Sequence, residues 1–303
     1  MLLLSLFTAC SRDNAKTATG EYRIDSVRIY LDTPAWELAQ AVKSQNTIKI
    51  ETIAKENPEL LNYQDPLYGT TLLFWAVGME KYNSAEALLK AGANPDIISI
   101  YEGGTALYRA AGFSFTDFKA KEDTKYVELL LEYGADPNIG FIGNSHNNST
   151  EIGATPLMNS IGCGIEKTKA LVEAGADINA KSEWGRTAAI AALGGGGYTT
   201  HVDAAQYAYY LIAEKHANVS DVYYRGKTYG SDQDPYDEFH PVNALRYWVF
   251  DLDSKGHQMK IEIVEEFARQ GVDYWATEIP SKYVLEHIQA LYPDTWEEYI
   301  QKY

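Results

Sequence analysis

Cysteine is almost missing from this chain of 303 residues: Cys10 and Cys163 are the only two. Two thiols supply neither a zinc cage nor a disulfide framework. Positive charge is also scarce, with 26 Lys plus Arg against 42 Asp plus Glu and a net charge of -16. A field of that sign repels phosphate and argues against nucleic acid or an anionic membrane surface as the main partner. The apolar run that opens the chain, Met1 to Ala9, is too short to span a bilayer: as a helix it reaches ~13 Å against a core of ~30 Å. Catalytic signatures are scarce as well. Gly194, Gly195, Gly196 and Gly197 are followed by Tyr198-Thr199-Thr200, where a phosphate loop needs Lys followed by Ser or Thr. No Gly-x-Ser-x-Gly elbow occurs. None of the six histidines pairs with another at helical metal spacing, and His201 with Asp203 makes only two ligands. Cys163, between Gly162 and Gly164, reads as a small filler in a turn. No cofactor and no metal are expected.

What is present is an ordinary globular composition, 46% apolar and 22% charged, with ample material for a core. It is organised as a repeat. Gly-x-Thr followed by an apolar pair and Ala recurs at Gly69-Thr70-Thr71-Leu72-Leu73-Phe74-Trp75-Ala76 and at Gly103-Gly104-Thr105-Ala106-Leu107. It returns at Gly153-Ala154-Thr155-Pro156-Leu157 and Gly185-Arg186-Thr187-Ala188-Ala189. A second string follows each copy: Leu88-Leu89-Lys90-Ala91-Gly92-Ala93-Asn94, then Leu130 to Asp136, Leu171 to Asp177, Leu211 to Asn218 and, most weakly, Phe267 to Asp273. The threonine suits a helix N-cap, and proline after it suits the first helical position. The glycine suits a left-handed helix stop, and the Asn or Asp beyond it starts a turn. Each copy therefore predicts helix, turn, helix, hairpin loop. Such a unit buries its apolar face only against neighbours.

These strings resemble the ankyrin repeat, whose period is roughly 33 residues with a Thr-Pro-Leu-His-x-Ala signature. Thr71 to Thr105 is 34 residues and Thr155 to Thr187 is 32. The signature histidine is absent; Phe74, Tyr108, Met158 and Ile190 stand in its place. The resemblance covers roughly residues 67 to 275 and implies an all-α solenoid of stacked helix-turn-helix units with hairpin loops and helical caps. The expected layout is a signal region at 1–10, a flexible tether at 11–30 and N-terminal capping helices at 31–66, with Thr33-Pro34 opening the first. A solenoid at 67–279 carries insertions near 112–124, 139–152 and 219–238, and C-terminal capping helices fill 280–303. The run Leu6-Phe7-Thr8-Ala9-Cys10 resembles a bacterial lipobox. That likeness implies cleavage before Cys10 and lipidation of its sulfur. Ser11 beside it resembles sorting to the outer membrane, on the periplasmic side of the cell envelope.

The ankyrin resemblance also implies where a partner binds. The positions before and inside Gly-x-Thr face targets: Leu67 and Tyr68, Tyr101 and Glu102, Glu151 and Ile152, then Glu183, Trp184 and Arg186. Tyr, Trp and Arg are common interface anchors, and the acidic neighbours favour a basic patch on the partner. The expected function is non-enzymatic protein binding, with contact to a membrane only through a lipid at Cys10. Ankyrin-repeat lipoproteins of this kind resemble immunity proteins that neutralise toxins delivered by type VI secretion. An envelope scaffold or regulator, or an enzyme hidden in the inserted loops, remains the alternative.

Overall fold

A computed structural model describes residues 16–17, 20–117, 119–143, 150–194, 202–224 and 236–303. The expected lipidation site Cys10, the histidines His146 and His201, and the centre of the 219–238 insertion lie outside the described residues. By its internal contacts the chain divides into two compact units, Met1–Ala176 and Asp177–Tyr303.

The first unit opens with a 3-10 turn at Val27–Tyr30 and the helices α1 (Trp36–Lys43) and α2 (Thr47–Glu56). Three helix pairs follow: α3 (Leu72–Gly78) with α4 (Tyr82–Lys90), α5 (Ala106–Ala111) with α6 (Lys125–Glu132), and α7 (Pro156–Asn159) with α8 (Ile165–Glu173). In the second unit α9 (Ala188–Leu193) is followed by α10 (Val202–Ala208), which runs on as a π-helical turn over Tyr209–Glu214. A 3-10 segment at Pro241–Tyr247 precedes α11 (Lys255–Arg269), and α12 (Lys282–Leu291) and α13 (Trp296–Ile300) close the chain. The two-residue strands β1 (Tyr223–Tyr224) and β2 (Glu238–Phe239) pair antiparallel. The fold is all-α, of the ankyrin type.

Each recurrent residue has a visible task. Thr71, Thr105, Thr155 and Thr187 are buried N-caps, their hydroxyls accepting from the N–H of Phe74, Tyr108, Met158 and Ile190 at 3.2–3.3 Å. A hydroxyl there satisfies a donor that the first helical turn leaves open. The second helices end in a repeated left-handed stop. Gly92, Gly134 and Gly175 all have positive φ, and the next residue's N–H reaches back to Leu88, Leu130 or Leu171 O at 3.0 Å. His216 occupies the same place with φ 56°, the one copy without glycine. Past the stop, Asn94, Asp136, Asp177 and Asn218 accept from the N–H two residues on at 2.8–3.0 Å. Within the first unit the turns are also tied to each other, because Asp96 Oδ1 accepts from Asp136 N at 2.9 Å. Apolar side chains such as Leu88, Leu107, Leu130, Leu157 and Leu171 are fully buried, each worth ~1.5–3 kcal/mol.

Two local expectations are corrected. Thr33 does not cap α1: its hydroxyl donates to Tyr30 O at 2.7 Å, and the helix starts at Trp36 without a side-chain cap. The second half of the expected tether is packed, with Val27, Ile29 and Tyr30 buried and Tyr30 Oη donating to Thr70 O at 2.6 Å. Three apolar residues at near-helical spacing in a polar stretch gave it a core face. The insertion near 112–124 folds back on the preceding pair, where Phe115 N donates to Gly78 O at 2.9 Å. A Cβ on Gly78 would stand 2.3 Å from the Phe115 ring, so only glycine admits that contact.

Candidate interaction surface

The hairpins of the first unit are closed by short polar side chains. The Asp65 carboxylate accepts from the N–H of Leu67, Tyr68 and Thr70 at 3.0, 2.8 and 2.8 Å. Burial pushes its carboxyl above the usual range, against the pull of those three bonds. In the next hairpin Ser99 takes the corresponding place, its Oγ 2.7 Å from Thr70 Oγ1. Main-chain bonds then run from hairpin to hairpin: Tyr101 N to Tyr68 O at 2.9 Å, Ile100 N to Gly69 O at 3.3 Å and Ile142 N to Gly103 O at 2.8 Å. Gly103 has φ 74°, and a Cβ there would meet the Phe141 ring at 2.5 Å. Regular main-chain pairing of this kind fixes the spacing of side chains along the hairpins.

Tyr68, Tyr101, Glu102 and Glu151 lie in the first unit; Glu183, Trp184 and Arg186 lie in the second. Tyr68 is only 6% exposed, which corrects its reading as an outward anchor. Its hydroxyl donates to Tyr22 O at 2.7 Å, and its ring meets Tyr101 edge-on at 4.8 Å, so it supports the half-buried Tyr101. Glu102 is half-buried and ion-paired with Arg109, whose guanidinium stacks on the Phe115 ring 4.2 Å away. Tyr68, Tyr101 and Glu102 line a cleft of about 420 Å³ together with Lys16, Arg23 and Asp25 of the N-terminal segment. Glu151 is half-buried.

In the second unit Glu183 is exposed, while Trp184 and Arg186 are half-buried beside β1. Trp184 packs 6.0 Å from Tyr236, Tyr224 N donates to Trp184 O at 2.8 Å, and the Arg186 guanidinium lies 5.6 Å from the Tyr223 ring.

Four aliphatic side chains stand out on the first unit's hairpins: Leu67, Ile100, Ile142 and Ile152, 43%, 67%, 53% and 48% exposed. Ile100 and Ile142 were not read from the sequence as target-facing. The legible signal was their position, each one or two residues ahead of a hairpin glycine or tyrosine. Cys163 is buried and its thiol is pushed up by desolvation, an unreactive setting. Among the described residues no group of three His, Cys, Asp or Glu could hold a metal ion, and no helix is long and apolar enough to cross a membrane.

The ankyrin-repeat family model matches residues 68–100, which span the first hairpin, α3 and α4. The chain therefore carries an ankyrin repeat, a unit that generally mediates protein–protein interaction and is typically non-enzymatic. Among curated proteins, Protein PhlB of Serratia liquefaciens is 34% identical over 118 residues, covering 39% of this chain and 44% of that protein. The chain thus spans less than half the length of the relative it matches.

Proposed function

We propose that the protein is a non-enzymatic binding module that grips a partner protein through its hairpins and inner helices, and that it serves as an immunity protein against a toxin of type VI secretion. The single observation that carries the binding role is the hydrogen-bonded series of hairpins, which holds Tyr101, Glu102 and the exposed Ile100 in fixed register. Aromatic and aliphatic side chains on a rigid frame lose little entropy on binding, the usual condition for an anchor. The net charge of -16 favours a partner with a basic patch and speeds encounter. The immunity role and a lipid anchor at Cys10, on the periplasmic side of the outer membrane, rest on the sequence likeness alone.

The test pairs the protein with the product of the neighbouring gene. Co-expression should relieve that product's toxicity, and the two should co-purify. Tyr101→Ala should weaken capture by ~30-fold, the worth of a ~2 kcal/mol anchor, with an unchanged melting temperature. Absence of binding to any neighbour-encoded protein would remove the immunity role. Undiminished capture by Tyr101→Ala would remove the hairpin surface.

A further inference from the structure

The far ends of α3 and α5, the folded insertion and the start of α6 enclose a second cavity in the first unit, of about 100 Å³. Its charge runs against that of the molecule. Four cations line it, Arg109, Lys121, Lys125 and Lys167, against two carboxylates, Glu80 and Asp123. Both carboxylates are already engaged, and of the cations Arg109 pairs with Glu102, Lys121 with Asp117 and Lys125 with Asp123, which leaves Lys167. Glu80 accepts from Thr116 Oγ1 at 2.6 Å, and Asp123 holds Lys125 Nζ at 2.7 Å.

The buried cations have donors left over. Lys167 is 2% exposed, and its ammonium donates to Ala110 O at 2.8 Å with no ion-pair partner among the described residues. Arg109 Nε is buried without a hydrogen-bond partner. Burial lowers the pKa of both groups, that of Arg109 to about 10. Buried charge persists where it is paired, and each donor left unmade costs ~1–3 kcal/mol. Lys121 and Lys125, both about half-exposed, leave the cavity reachable from solvent.

We propose that this cavity binds a small oxyanion, a phosphate or sulfate group, with Lys167 and Arg109 at its floor and Lys125 at its rim. The volume takes one tetrahedral group. Several acceptor oxygens converge in such an ion, which suits donors that approach from different elements. Binding would tie α5, α6 and α8 together through one ion. The site meets the hairpin surface at Arg109, which is ion-paired with Glu102, but its test needs no partner protein.

The experiment is thermal unfolding and isothermal titration of the full chain with sodium phosphate and sodium sulfate, against sodium chloride of matched ionic strength. Phosphate and sulfate should raise the melting temperature saturably beyond chloride, as a ligand of the folded state does. Lys167→Met should weaken binding at least ~10-fold, the worth of one charge-assisted hydrogen bond. Lys125→Gln, at an exposed position that leaves the core intact, should weaken it as well and decides the matter if the first variant does not fold. A phosphomonoester such as phosphoserine binding more tightly than inorganic phosphate would assign the site to a phosphorylated molecule; weaker binding would assign it to the free ion. No stabilisation beyond chloride, or phosphate binding unchanged in Lys125→Gln and in any folded Lys167→Met, would overturn the proposal.

Discussion

Lys260 shows how much one residue can take out of the fold's stability. It is 1% exposed within α11, donates to Trp248 O at 2.9 Å and has its Nζ 4.2 Å from the Tyr303 ring. Among the described residues no carboxylate pairs with it, and the Arg246 guanidinium lies 4.0 Å from the neighbouring Tyr274 ring. Desolvation, with repulsion from Arg246, holds its ammonium well below the usual lysine range. The unfolded chain therefore binds more protons than the folded one between that lowered value and ~10.4, the ordinary lysine pKa. Stability contributed by this group rises with pH across that window and is lost as pH falls through it. Lys260→Met keeps the apolar stem and removes the titration. Each unit of lowering costs ~1.4 kcal/mol at the acid end of the window, and the lost hydrogen bond returns only ~1 kcal/mol. Urea unfolding from pH 6 to pH 9 should show a smaller rise with pH in Lys260→Met and a more stable protein at pH 6. An identical slope in both proteins would mean that Lys260 keeps its charge inside the aromatic cage.

At the level of elements, stability comes from the same few devices used again. The threonine caps make this measurable. Thr71→Ala, Thr105→Ala and Thr187→Ala each remove a buried hydroxyl that caps a helix and should each cost ~1–2 kcal/mol in chemical unfolding. Thr124 stands before α6 yet makes no cap bond; its hydroxyl donates to Glu128 Oε1 at 2.7 Å. Thr124→Ala should stay within ~0.5 kcal/mol of the parent. Equal losses at all four positions would show that the hydroxyls act through packing rather than capping. These caps were legible because capping is local: Thr, the helix it opens and the glycine that stops its partner all lie within one period. The Gly78–Phe115 contact was not, because an insertion has no periodicity to announce where it lands. Tyr68 failed for a similar reason. Its hairpin position is the one a partner would face, yet Tyr22, 46 positions earlier, had already covered it. Arg186 and Trp184 stand in the turn before α9, but the cover from Tyr223 and Tyr236 comes from an insertion whose course no repeat register predicts.

For the molecule as a whole the dominant quantity is charge. With 42 acidic against 26 basic side chains, folding gathers like charges, and the resulting repulsion works against the compact state. Exposed pairs such as Lys49 with Glu37 and Lys302 with Glu298 offset it weakly, because a solvated pair contributes ~0–1 kcal/mol. Salt acts on both, but unequally: at ~1 M the screening length falls to ~3 Å, so repulsion summed over the whole surface fades while close contacts persist in part. Added sodium chloride should therefore raise the melting temperature at pH 8. The same salt series near the pI of 4.8, where net charge vanishes, should leave it nearly unchanged. Differential scanning calorimetry at low and high salt at the two pH values checks this. A melting temperature that falls with salt at pH 8 would mean that local ion pairs, and not the summed acidic field, govern the stability of this protein.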